Sequence, residues 1–218
     1  MRRLIHTVLN RFLEVLFPQR CLGCRQEGEL LCKNCLAKSR KNFREKSSLP
    51  FLDRLFSWGS YEDKILREAL RRFKYHGTYG LASPLTKILH DLIKPYLSSF
   101  SEKTVILPIP LHLRKELDRG YNQAALLAEK LSAETKIPFD AGLLKKIKAT
   151  PSQTALSGRE RVLNVYDSFG VKFPERVKNK TVLLVDDIST TGATLSEAAR
   201  VLKSSGAKAV IGLVVARG

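Results

Sequence analysis

The stretch from Val182 to Leu195 reads VLLVDDISTTGATL. Four apolar residues lead into two adjacent carboxylates, Asp186 and Asp187, and these into Ser189, Thr190, Thr191, Gly192, Ala193 and Thr194. Carboxylates accept hydrogen bonds from vicinal hydroxyls and help position a cation such as Mg2+, but they repel a bare phosphate. A glycine- and hydroxyl-rich loop that opens a helix does the reverse, because its N–H groups, hydroxyls and helix dipole attract a phosphate. Gly192 lets the backbone approach closely, and the three threonines donate. Acids first and anion loop second is the order that a ribose five-phosphate requires when it lies across a strand end. The plainer alternative is an N-cap with its dipole partners, but a cap uses one carboxylate and leaves the hydroxyl run unexplained.

A second constellation is CLGCRQEGELLCKNC, with Cys21, Cys24, Cys32 and Cys35 inside fifteen residues. Each C-x-x-C sets two thiolates on one tight turn, and two such turns complete a tetrahedron around Zn2+. Gly23 and Gly28 supply backbone freedom for the turns. Four thiolates leave the metal no open position, so its role is structural. The competing readings are two disulfides, which a chain without an export signal disfavours, and a redox C-x-x-C, which normally comes singly.

The elements that position these residues are legible from pattern. The chain has 218 residues and 44% hydrophobic content, enough for one well-packed domain with a small satellite. Leu4, Ile5, Val8, Leu9, Phe12, Leu13 and Leu16 recur at helical spacing, so residues 1–18 read as an amphipathic helix that Pro18 stops. His6, Asn10, Arg11 and Glu14 interrupt the apolar core an export signal needs. No apolar run approaches the roughly 20 residues of a spanning helix. The expectation is a cytoplasmic protein whose stripe packs on its own main domain in preference to a membrane.

Residues 19–38 then read as the zinc ribbon, 39–50 as a basic linker and 51–218 as the main domain. LFSWGSY is a strand, and Lys64 to Tyr75 a helix with Ile65, Leu66, Ala69, Leu70 and Phe73 on one face. LASPLTKILHDLIKPYL is a second helix, TVILPIP a buried strand ending at Pro108, and Tyr121 to Glu134 a helix. TVLLV is a strand followed by a loop, Ala193 to Ser205 a helix, and AVIGLVV a strand. Continuous apolar strands separated by helices predict an α/β fold with a parallel sheet covered on both faces. Ligands of such sheets sit beyond the carboxyl ends of strands, where Asp186 and Asp187 fall. Thirty-eight Lys and Arg against twenty-one Asp and Glu give a net charge of +17. That field attracts nucleic acid, anionic membrane or phosphorylated small molecules, or is simply a lysine-rich solvated surface.

VLLVDDISTTGAT matches the thirteen-residue signature of type I phosphoribosyltransferases, and the chain as a whole resembles the ComF (ComFC) family of competence-associated proteins. The resemblance is carried by LFPQRCLGC with the four cysteines, FKYHG at Phe73 to Gly77, and PIPLHLRKELDRGYNQA from Pro108 to Ala124. Thr150, Gln153, Leu156, Arg161 and Asn164 also match, as does the terminal VVARG. It implies a parallel-sheet, type I phosphoribosyltransferase-like domain preceded by an N-terminal helix and a zinc ribbon holding structural Zn2+. It places phosphoribosyl diphosphate, with Mg2+, on Asp186, Asp187 and Ser189 to Thr194. Asp187 is the candidate for any acid–base contribution. Diphosphate contacts fall to Arg114, Lys115, Arg119, Lys74 and Arg161, through charge-assisted bonds. KKIKATPSQTALSGRERVLN occupies the slot of the hood over the ligand, where Arg159 is a further cation.

The implied role is in natural transformation, handling incoming single-stranded DNA, with a DNA-uptake helicase or translocase as partner. The alternative is an active phosphoribosyltransferase that transfers ribose 5-phosphate to an unidentified base or amine. Phe43, Phe51, Phe56, Trp58 and Tyr61, near the basic linker, are candidates for stacking bases or for core. Two departures from the family pattern stand out. Lys146 and Lys148 occupy positions where many relatives have arginine, and Glu116 and Leu117 stand where the family often has Leu-Arg.

Overall fold

The computed structural model describes residues 18–39, 49–100, 102–148 and 165–218. The stripe from Leu4 to Leu16, most of the basic linker with Phe43, and the hood residues Thr150, Gln153, Leu156, Arg159, Arg161 and Asn164 lie outside them.

The main sheet has four parallel strands in the order β1-β6-β5-β2: β1 Arg54–Ser60, β2 Thr104–Pro108, β5 Thr181–Ser189 and β6 Ala209–Arg217. Alternation along β5 sends Leu183 and Val185 into one core, and Val182 and Leu184 into another across the sheet. The first core is covered by α2 Lys64–Tyr75, α3 Ala82–Ile93 and α5 Gln123–Thr135. The second is covered by α6 Ala193–Ser204, with a small antiparallel pair, β3 Leu144–Lys146 and β4 Phe169–Val171.

Two features differ from the sequence expectation. β5 does not end at Val185 but continues through both aspartates, because β6 is equally long and pairs with it as far as Ser189 opposite Arg217. The segment after His112, to which the sequence pattern assigns no element, contains a short helix, α4 Leu113–Arg119. Its Leu113 and Leu117 are exposed, so no buried face advertises it.

The cysteine module is built into the first core. Cys21, Leu31, Cys35 and Leu36 share that core with Phe56, Leu66 and Phe73. Its helix, α1 Lys33–Ser39, takes in Ser39, the first residue of the segment read as linker. There the Ser39 hydroxyl accepts from Trp58 Nε1 at 3.3 Å. Phe56 and Trp58 are therefore core side chains and offer no stacking surface, whereas Phe51 is exposed.

Among the helices, α2 has the closest bearing on the strand tips. Leu66, Ala69, Leu70 and Phe73 recur on one face and are buried, and Asp63 caps the helix by accepting from the N–H groups of Ile65 and Leu66 at 2.9 Å each. A cap of this kind is worth about 1 kcal/mol. The helix fixes Lys74, one residue before its end, against the tip of β5.

Candidate functional site

A cleft of about 280 Å3 opens at the carboxyl ends of β5 and β2. One wall is the tip of β5 and the loop into α6, Asp186 through Thr194. The other wall carries Arg71, Lys74, Lys115, Arg119 and Lys146. Five cations thus face two carboxylates. The pleat turns Asp187 toward the face of α2 and Asp186 toward the face of β3.

Asp187 is buried, with one carboxylate oxygen 3.4 Å from Lys74 Nζ. That oxygen makes no hydrogen bond, and the hydroxyl of the equally buried Ser189 also lacks one. Asp186 Oδ1 accepts from the Asp187 N–H at 2.8 Å. Burial, reinforced by the charge of Asp187, pushes the Asp186 carboxyl well above the usual carboxylate range. Burial works against the Lys74 ammonium, but Asp187 and Asp186 outweigh it and hold Lys74 above its ordinary value. On the far wall, burial and the neighbouring charge of Lys115 bring Lys146 down to about 8. Buried oxygens without a hydrogen bond and crowded cations together describe a site suited to a ligand with hydroxyls at one end and concentrated negative charge at the other.

The cation wall is tied together across three helices. Arg119 Nη1 donates to Gln123 Oε1 at 3.0 Å, and Gln123 Nε2 donates to the Lys74 carbonyl at 3.4 Å. Asn122 donates to the Ile109 carbonyl at 3.1 Å and accepts from the Ala125 N–H, which pins the turn after β2 to α5.

At the Thr-Gly loop, Gly192 has φ +80°, and a Cβ there would stand 2.4 Å from both terminal methyl carbons of Leu49. Gly192→Ala is expected to lower stability by about 1–2 kcal/mol from the left-handed backbone alone, and to distort the loop. Adding Leu49→Ala should relieve the collision and restore only part of the thermal midpoint. Full recovery in that double variant would show that backbone conformation is not the constraint.

Of the residues nominated from sequence, Lys74, Lys115, Arg119, Asp186, Asp187, Ser189, Thr190, Thr191, Gly192, Ala193 and Thr194 line this cleft. Arg114 is exposed and stands outside its lining, and Arg161 lies outside the described residues. Arg71, Gln123 and Lys146 were not nominated. Arg71 sits one helical turn before Lys74. Lys146 follows Leu144 by two in a strand, the interval that puts both on one face; these signals were present but faint.

The four cysteine sulfurs lie within 4.8 Å of one another, and none is in a disulfide. A tetrahedral ion with Zn–S bonds of about 2.3 Å requires sulfurs about 3.8 Å apart. Cys24 and Cys32 are 3.7 Å apart, so the set fits a metal ion. Gly23 contributes by its size: a Cβ would meet Cys35 Sγ at 2.6 Å and Ile65 at 2.9 Å. Burial pushes the Cys35 thiol up to about 12. At Cys21 burial acts in the same sense, but the N–H groups of Cys32, Cys24 and Gly23 prevail and bring the thiol down to about 6.

Acids at a parallel strand tip, a Thr-Gly loop opening the next helix and a cationic far wall define a phosphoribosyltransferase-like domain. Residues 117–218 match the phosphoribosyl transferase domain family. The chain belongs to the ComF family. It is 30% identical over 186 residues to Competence protein F of Haemophilus influenzae, covering 82% of this chain and 75% of that one. It is 36% identical over 183 residues to DNA utilization protein YhgH of Escherichia coli K12, covering 83% and 75%. It is also 32% identical over 155 residues to Competence protein ComFC of Bacillus subtilis, covering 70% and 59%. Among the described residues no helix is long and apolar enough to cross a membrane.

Proposed function

We propose that the cleft binds phosphoribosyl diphosphate with Mg2+, that the four cysteines hold a structural Zn2+, and that the protein works in DNA uptake by handling single-stranded DNA. The observation that carries the reading of the cleft is its division of charge. Asp186 and Asp187 meet the ribose hydroxyls, the loop from Thr190 to Thr194 takes the 5-phosphate, and Lys74, Lys115, Arg119 and Lys146 face the diphosphate. The relatives named for competence and DNA utilization and the net charge of +17 support the role with DNA.

The same division of charge suits transfer. Breaking the bond between ribose C1 and the diphosphate builds positive charge on the sugar and leaves an anion behind. The cation wall stabilises that leaving group, and the strand tip and phosphate loop hold the ribose still. This observation favours the second reading, a working phosphoribosyltransferase, in which Asp187 is the group placed to exchange a proton near the ribose.

Calorimetric titration of phosphoribosyl diphosphate with Mg2+ tests the binding reading. The expected result is one saturable site whose affinity falls as pH rises through about 8. Lys146 is held near 8, and an anion binds its protonated form, so each proton lost above that value removes an attraction. Absence of binding at neutral pH would overturn the assignment.

A further inference from the structure

The cleft shares a wall with a second cavity of about 320 Å3, lined by Lys74, Tyr75, Gly77, Lys115, Asp118 and Arg119. Lys74, Tyr75, Lys115 and Arg119 line both, so the same cations face two spaces. On the shared wall the Arg119 guanidinium lies 5.2 Å from the centre of the Tyr75 ring, yet Tyr75 remains 58% exposed. Just beyond Gly77 stands Tyr79, 54% exposed, its ring braced by Tyr121 with centroids 4.6 Å apart. Two tyrosines, each backed by a neighbour and open in front, stand beside a row of cations. Single-stranded nucleic acid requires that pairing: an aromatic face for a base and a positive charge for the adjoining phosphate, with no sequence demanded. Among the described residues Asp118 is the one carboxylate lining this cavity, and its chemistry suits the exocyclic amino group of cytosine.

We propose that the second cavity holds a nucleotide unit of single-stranded DNA, its base on Tyr75 and its phosphate on Lys115 and Arg119. The strand then competes for these cations with the diphosphate bound in the first cleft. Only the competition rests on reading the first cleft as a phosphoribosyl diphosphate site. Each ligand lowers the affinity of the other by the same factor, because coupling between sites is reciprocal. The crowding of the wall supports this. Burial and the charges of Arg119 and Lys74 hold Lys115 below its ordinary value, so a first anion relieves repulsion that a second no longer finds. The phosphosugar thereby governs how firmly the strand is held.

Fluorescence anisotropy with a short labelled oligodeoxycytidylate, at constant ionic strength, tests the proposal on the full-length protein. Tyr75→Leu keeps apolar bulk but loses the ring face, and is expected to weaken strand binding about tenfold; Tyr75→Phe should bind like wild type. In wild type, phosphoribosyl diphosphate with Mg2+, or inorganic diphosphate alone, should raise the apparent Kd for the strand. No strand binding by wild type, or equal binding by Tyr75→Leu, overturns the pocket. Strand binding indifferent to a phosphosugar that calorimetry shows bound overturns the competition. If the phosphosugar fails to bind while inorganic diphosphate still displaces the strand, the reading of the first cleft fails and the assignment of the second cavity is upheld.

Discussion

Asp186→Asn and Asp187→Asn are each expected to weaken binding of phosphoribosyl diphosphate strongly while moving stability in opposite directions. A hydrogen bond to a charged partner is worth about 1.5–3 kcal/mol, which corresponds to a loss of roughly ten- to a hundredfold in affinity for each aspartate. The stability effects differ because the pleat gives the two carboxylates different surroundings. Burial and the charge of Asp187 raise the pKa of Asp186. Between the ordinary value of 3.8 and the raised one, the folded protein binds more protons at this group than the unfolded chain does. Stability therefore falls as pH rises through that window, and the full cost is reached only above the raised value. Asp186→Asn removes the cost, so its thermal midpoint at pH 7 should equal or exceed that of wild type, with the difference vanishing below about pH 3.8.

Asp187→Asn instead takes from Lys74 a carboxylate 3.4 Å away. Breaking a fully buried pair costs about 3–5 kcal/mol. Lys74 keeps 24% of its side-chain surface, which places the expected loss below that range. Calorimetric titration and thermal melts of the two variants check both halves. Equal destabilisation by the two substitutions would refute the division of roles, and undiminished ligand affinity would remove the aspartates from the site.

What could be read from sequence was what leaves a periodic trace. The face of α2, with Leu66, Ala69, Leu70 and Phe73 buried, and the apolar runs of β2, β5 and β6 are long repeats whose burial dictates their pattern. The Thr-Gly loop was legible for another reason, since few sequences need two acids and a Thr-Gly run in that order. α4 left no trace because its two leucines point to solvent. It is set instead by tertiary ties, among them the contact of Arg119 with Gln123. Charged residues also disguised the end of β5, where pairing with β6 prevails over the low strand propensity of aspartate. The exposed rings of Tyr75 and Tyr79 were out of reach, because aromatic residues beside an apolar helix face read as core until their surroundings are known.

Removal of the Zn2+ proposed for the four-cysteine centre is expected to destabilise the whole protein and not merely its amino-terminal module. Cys21 and Cys35 are buried in the core that contains Phe56, Leu66 and Phe73, and Cys35 and Ile65 of α2 crowd Gly23 so closely that a Cβ there would collide with both. Loss of the ion leaves four sulfurs within 4.8 Å without the cation that reconciles them, and the first turn to open exposes the base of α2. Metal binding in small zinc modules is worth about 10–16 kcal/mol. If even about 4 kcal/mol of that reaches global stability, the thermal midpoint falls by roughly 8–16 °C for a chain of this size. The melt of chelated protein should remain a single transition, displaced downward, and Cys35→Ser should displace it further than Cys24→Ser. Both variants lose a ligand, but only the first puts a hydroxyl into the core, because Cys24 is exposed. An early, separate transition would mean that the module is an appendage. An unmoved midpoint would mean that the packing of Leu31 and Leu36 suffices without metal. The downward shift is expected because Lys74 stands in the last turn of α2, and a core that loosens at one end of that helix cannot hold the ammonium against Asp187 at the other.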